Sequence, residues 1–214
     1  MKFLIFFFLL AAVIARGAEQ VSSIMVADDM QIDPKKVEEF IAWAGPSIRE
    51  YPPRFKNADL ETRINLSTLL VTNEIKKLDP KTLNDAALLT NLGHILGMGN
   101  NLDLPTGEQA KVFFERALSL EPNSGRANYL FGMFLIATDK FHLESLPYLQ
   151  KAYSLGEKDA QYSVGLLLYQ NGDKTKGLQE LEAYSKANPD NQHVKQVIKS
   201  IQDSTLKIKR TKGG

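Results

Sequence analysis

Ser163-Val164-Gly165-Leu166-Leu167-Leu168-Tyr169-Gln170-Asn171-Gly172-Asp173-Lys174-Thr175 admits two readings, and they lead to different folds. Two glycines ahead of a Lys-Thr pair approach a phosphate-binding loop, which lies between a strand and a helix and would make this an α/β nucleotide binder. That loop needs four residues between its glycines and then Lys-Ser/Thr directly. Here six residues separate Gly165 from Gly172, and Asp173 intervenes with a charge that would oppose a triphosphate. Tyr162, Gly165, Leu166 and Tyr169 instead recur at helical spacing. The run therefore reads as a helix followed by a turn at Gly172-Asp173.

Working outward, the same kind of segment occurs three times. Asn91-Leu92-Gly93-His94-Ile95-Leu96, Leu130-Phe131-Gly132-Met133-Phe134-Leu135 and Ser163-Val164-Gly165-Leu166-Leu167-Leu168 align on a glycine, with those glycines 39 and 33 residues apart. After each comes a polar break and a second helical pattern: Ala110 to Leu120, Ser145 to Leu155, and Gly177 to Ala187. Repetition at this period is the mark of stacked helix pairs. Upstream, Asp33-Pro34 reads as a helix start with Val37, Phe40, Ile41 and Ala44 on one face and Gly45-Pro46 ending it. A further helix from Ala58 carries Leu60, Ile64, Ser67/Leu70 and Ile75, stopped by Asp79-Pro80. No convincing strand pattern occurs, so the fold class is all-α.

Within the first pair, Ala110, Phe114, Ala117 and Pro122 stand at spacings of 4, 3 and 5. Ala127, Gly132 and Ala152, then Ala160, Gly165 and Pro189, hold the small-residue and terminator places of the later pairs. On these residues the chain resembles tetratricopeptide (TPR) repeat proteins. The stretch Lys151-Ala152…Gly156…Asp159-Ala160-Gln161-Tyr162…Gly165…Tyr169…Gly172-Asp173 has in addition a Sel1-like character. The resemblance covers roughly residues 84–192. It departs from the pattern in extra residues between the helices of the first repeat (Gly97 to Thr106), in Gly177 where alanine is usual, and in Tyr184 where a small residue is expected. What it implies is a right-handed α-solenoid of about three helix pairs within residues 84–203. Residues 18–83 would form an N-terminal helical cap, with 58–78 readable as half of a degenerate extra repeat. A capping helix over Asn191 to Ile201, with His193/Val194, Val197/Ile198 and Ile201 on one face, would close the other end.

The ends of the chain carry their own signals. Met1-Lys2, an unbroken apolar run from Phe3 to Ile14, and small residues at Ala15 and Gly17 make residues 1–17 a secretory signal peptide cut before Ala18. The twelve apolar residues fall short of the ~20 a spanning helix needs, so no stable membrane insertion is expected after cleavage. Cleavage removes two of the 26 basic residues and none of the 25 acidic ones, leaving a formal charge of −1 and no global field for nucleic acid. With no cysteine there are no disulfides, no thiol chemistry and no lipid attachment after the apolar run. Export without cysteine fits a periplasm better than an animal extracellular space, with secretion as the alternative. Residues 18–32 read as a mobile lead-in, and 204–214, with Lys207, Lys209, Arg210 and Lys212, as a basic disordered tail that at most touches anionic envelope polymers. Asn65-Leu66-Ser67 has the form of a glycan acceptor.

Catalytic patterns are sparse. His94, His142 and His193 are never paired at metal-ligand spacing, and nothing resembles a nucleophile elbow, so no metal, cofactor or catalytic residue is expected. A glycan hydrolase would need two carboxylates facing across a cleft, and Glu180 and Glu182, two apart on a helix, do not face each other. In TPR relatives the first helix of each pair lines a concave groove for peptides or partner helices. By that resemblance the lining is Thr90, His94 and Met98 in the first pair, Arg126, Tyr129 and Met133 in the second, and Tyr162, Leu166, Tyr169 and Gln170 in the third. Tyrosine offers area plus a hydroxyl and methionine repacks around varied partners. A carboxylate clamp is not indicated, since only Asn91 and Arg126 approach one. The expected function is protein–protein interaction in a bacterial envelope complex, with a repeat-scaffolded envelope enzyme or a self-associating module as the alternatives.

Overall fold

The computed structural model describes residues 32–138 and 144–203. The leader, the lead-in up to residue 31, His142 and the basic tail lie outside the described residues. Those described are helical, with no strand among them: α1 (Pro34–Ile48), α2 (Ala58–Ile75), α3 (Ala86–Asn101), α4 (Gly107–Leu120), α5 (Gly125–Ala137), α6 (Ser145–Ser154), α7 (Ala160–Gln170), α8 (Lys174–Ala187) and α9 (Gln192–Gln202). A short 3-10 turn spans Pro80–Thr82. No helix among them is long and apolar enough to cross a membrane.

Short polar side chains set most of the starting points, because the first amides of a helix have no partner within it. The Lys35 amide donates to Asp33 Oδ1 at 2.9 Å, that of Leu60 to Asn57 Oδ1 at 2.8 Å, and that of Leu88 to Asp85 Oδ1 at 2.9 Å. Further along, Ala127, Lys176 and Val194 donate in the same way to Ser124, Asp173 and Asn191. The turn after α7 is the one anticipated. Gly172 takes φ +97°, a left-handed conformation open to glycine, and α8 begins two residues later at Lys174.

The chain divides into two compact units, one ending at Leu120 and the other beginning at Glu121. In the first, α3 packs on α4, and α1 and α2 pack on α3. Phe114 is fully buried, its ring where a Cβ on Gly93 would come within 3.2 Å. Arg116 ties α4 to the 3-10 segment, its guanidinium donating to the carbonyls of Lys81 and Leu83 and to Asn84 Oδ1. In the second unit, α5 pairs with α6 and α7 with α8, α6 packs on α7, and α9 packs on α8.

Three local expectations need correction. Gly45-Pro46 does not end α1, which continues to Ile48. The last turn is held by buried Ile48, whose carbonyl accepts from Asn101 Nδ2 at 2.9 Å, and by the Arg49 amide donating to the Gly45 carbonyl at 3.0 Å. On α2 the buried face runs Ile64, Ser67, Thr68, Val71, Thr72 and Ile75, while Leu70 faces water. The residues after Gly97 lengthen α3 to Asn101 rather than forming a loop, and buried Thr106 closes the bend by donating to the Leu96 carbonyl at 2.6 Å. The Asn65-Leu66-Ser67 triplet lies in mid-α2, with the Asn65 side-chain oxygen inside the protein and Ser67 buried, a poor seat for a glycan.

Candidate functional site

The second unit is built on close backbone approaches. A Cβ added to Gly132 would lie 2.6 Å from Leu149 Cγ, so the missing side chain is what lets Leu149 of α6 seat against α5. Between α7 and α8 the approach is tighter. A Cβ on Gly165 would meet Leu181 Cγ at 2.8 Å, and one on Gly177 would meet the Tyr169 amide nitrogen at 2.5 Å and the Gly165 carbonyl at 2.7 Å. The residues received run in register with the first pair. Ala110, Ser145 and Gly177 correspond, as do Phe114, Leu149 and Leu181, and as do Ala117, Ala152 and Tyr184; all nine are buried. Gly177 stands where the first pair has Ala110 because the backbones of α7 and α8 leave no room for a methyl. With these faces committed, Ala160, Val164 and Leu167 of α7 close against Leu149 and Ala152 of α6.

What remains outward on α5 and α7 is the candidate surface. On α5, Arg126 is exposed, Met133 is 36% exposed, and Tyr129 is half-buried against the α6–α7 cluster. The two helices touch where Ser163 Oγ lies 3.3 Å from Met133 Sδ. On α7, Gln170 is exposed, and Tyr162, Leu166 and Tyr169 are half-buried against the cluster of Leu181, Tyr184, Val194 and Ile201. Seven of the ten anticipated residues, from Arg126 to Gln170, thus lie on two helices of one unit. Tyr129, Tyr162 and Tyr169 serve packing as much as presentation.

The first-pair residues behave differently. Thr90 is 3% exposed, with its hydroxyl donating to the Ala86 carbonyl of its own helix at 2.7 Å. Met98 is 1% exposed, and its sulfur lies 3.9 Å from where a Cβ on Gly45 would be. Neither offers a surface, and His94 is half-buried. The cause is α1, which lies along α3, together with α2, whose Thr72 methyl backs onto Gly99. The expectation that α3 lines an open groove fails at Met98 for that reason, and at Thr90 because that residue too is buried.

Beside the surface runs a polar and aromatic chain. Tyr162 Oη is 3.0 Å from His193 Nε2, and its ring lies 5.7 Å from that of Tyr184 and 5.9 Å from the imidazole. Tyr184 donates to Asp159 Oδ1 at 3.1 Å. Burial, and then the neighbouring Tyr184, raise the Tyr162 pKa above its ordinary value; burial, and then the bond to Asp159, do the same for Tyr184. Both phenols are therefore neutral at physiological pH and available as hydrogen-bonding groups. Lys174 Nζ sits 5.8 Å from the Tyr169 ring centroid, a cation–π contact at the rim. Glu180 is engaged by Gln161 Nε2 at 2.9 Å, whereas Glu182 is exposed.

Sequence reasoning passed over Asp159, Ser163, Tyr184 and His193 as parts of this arrangement. One signal was present: Tyr184 departs from the small-residue pattern. In place of the alanines at 117 and 152, it fills space between α7, α8 and α9 with a ring and carries a hydroxyl to Asp159. Among the described residues, no group of three or more His, Asp or Glu side chains is placed to hold a metal ion. No protein-family model, curated protein or solved structure matches the chain.

Proposed function

We propose that the protein is an exported helical-repeat scaffold of the TPR or Sel1-like kind, which captures a peptide segment or partner helix on the outward side of α5 and α7. The observation carrying this reading is the junction of the two helices at Met133 and Ser163. The same two helices carry the exposed methionine, an exposed Arg126, a half-buried Leu166 and an exposed Gln170. A flexible thioether and an aliphatic side chain accept apolar side chains of varied shape, while the guanidinium and the amide supply directional anchors. The registered knobs at Phe114, Leu149 and Leu181 support the repeat reading, in which successive pairs stack as a right-handed solenoid with α9 as the terminal cap. The apolar run of residues 3–14 supports export, with the periplasm as the setting and an envelope complex as the assembly served.

The test uses substitutions at two exposed positions of this side. Affinity capture from envelope extract of the native host compares the wild type with Arg126→Glu and with Met133→Asp. Each variant should lose the same specific partner while keeping the wild-type helical spectrum and melting behaviour. Recovery of unchanged partners by both would overturn the assignment of this side.

A further inference from the structure

The α9 helix carries Val194, Val197, Ile198 and Ile201 at i, i+3, i+4 and i+7, while Lys195, Gln196, Lys199 and Gln202 face water. Val194 is fully buried and Ile201 nearly so. They form one apolar cluster with Leu181 and Tyr184, against which Tyr162, Leu166, Tyr169, Leu178, Val197 and Ile198 pack. Three members of that cluster, Tyr162, Leu166 and Tyr169, are residues the repeat pattern assigns to partner capture. The chain has thus seated a helix of its own against part of its candidate binding side. His193, one residue ahead of the first apolar position, meets the Tyr162 hydroxyl at 3.0 Å.

From this we infer that the face shared by α7 and α8 is a receptor for an amphipathic helix, that α9 is its resident occupant, and that a partner helix of the same pattern takes α9's place. The inference rests on the proposed reading of α5 and α7 and names the class of partner. A segment of eleven residues is too short to hold helical form alone in water, so α9 is ordered by its seat rather than by itself. Its connection to α8 runs through exposed Pro189 and Asp190. Released, α9 would leave tyrosine and leucine side chains facing water, and an incoming helix would restore that burial. The fitting ligand presents aliphatic side chains at i, i+3, i+4 and i+7 and a hydrogen-bonding group at i−1 for the Tyr162 hydroxyl.

A fluorescent peptide spanning residues 190–203 is titrated against the wild-type chain and against full-length chain carrying Val194→Asp and Ile201→Asp. Saturable binding at least tenfold tighter to the double variant, absent for a scrambled peptide, is the expected result. Equal affinity for both chains, or no binding to a variant that keeps the helicity of α1–α8, overturns the inference. Should the variant lose its fold, hydrogen exchange on the unaltered chain decides. Amides of α9 should exchange together, at least tenfold faster than those of α7 and α8; exchange in step with α7 and α8 refutes a displaceable occupant. The two failures are distinguishable. Loss of the peptide result leaves the Arg126 and Met133 capture experiment standing, whereas peptide binding with unchanged capture by those variants removes the α5–α7 side alone.

Discussion

Replacing Gly177 by alanine adds one methyl group where the structure has no place for it. The new Cβ would lie 2.5 Å from the Tyr169 amide nitrogen, 2.7 Å from the Gly165 carbonyl oxygen and 2.8 Å from Tyr169 Cα, against 3.4–4 Å for ordinary contact. All three neighbours are backbone atoms, so no rotamer change relieves them and α7 and α8 must separate by most of an ångström. Separation also loosens Leu181, which is seated over Gly165. Overpacking of this kind costs about 1–3 kcal/mol or somewhat more. Alanine's better helix propensity returns up to about 1 kcal/mol. The backbone clash places the cost at the upper end, so the net loss should be about 2 kcal/mol. With a urea dependence of about 2 kcal/mol per molar, the midpoint followed by far-ultraviolet circular dichroism should fall by about 1 M. Trp43, the chain's single tryptophan, reports the first unit by fluorescence. A Gly177→Ala midpoint within 0.3 M of wild type, or above it, would refute the close-approach reasoning.

Other consequences are open to the same kind of measurement. Leu149→Ala empties a fully buried position shared by the Gly132 notch and the α6–α7 cluster, and should cost about 3 kcal/mol in urea unfolding. Loss of under 1 kcal/mol would mean the notch closes without it. Asp85→Ala removes the acceptor for the Leu88 amide and should lower stability by about 1 kcal/mol in thermal melts, with Asp85→Asn restoring most of it. The raised pKa values of Tyr162 and Tyr184 make stability alkaline-sensitive. It is fully present below their ordinary value of 10.0 and is lost as pH rises through the higher folded-state values. Urea midpoints between pH 8 and 11 should show that loss, and Tyr184→Phe should weaken it while costing about 1 kcal/mol at neutral pH through the lost bond to Asp159. An identical alkaline loss in the variant would exclude Tyr184 as a contributor.

The helical character and the helix pairs were readable because they depend on local periodicity and on small residues at fixed offsets. Gly93, Gly132 and Gly165 each lie opposite a large residue of the following helix, as their alignment suggested. Exposure was less readable, because it depends on what else the chain lays over a helix. Thr90 and Met98 are on α3 as expected but buried, and at Met98 the cover is α1, which returns with Gly45 facing it. Nothing local to α3 encodes that return. The period puts Leu70 on the inner face of α2, but it faces water while its neighbour Val71 is buried, and only the direction of α3 chooses between two adjacent apolar residues. The Tyr162–His193 contact joins residues 31 apart through the placement of α9, and its trace in the sequence was no more than an amphipathic last helix.

The account's central claim is that the outward side of α5 and α7 is where a partner is held. The most direct measurement incorporates a photo-crosslinking phenylalanine analogue singly at Met133, Gln170, Val112 and Lys186 in the native host. All four positions are exposed; the first two are on α5 and α7, the last two on α4 and α8. Positions 133 and 170 should give the same discrete adduct, with none at 112 or 186. Adducts of equal yield at all four, or at 112 and 186 alone, would contradict it.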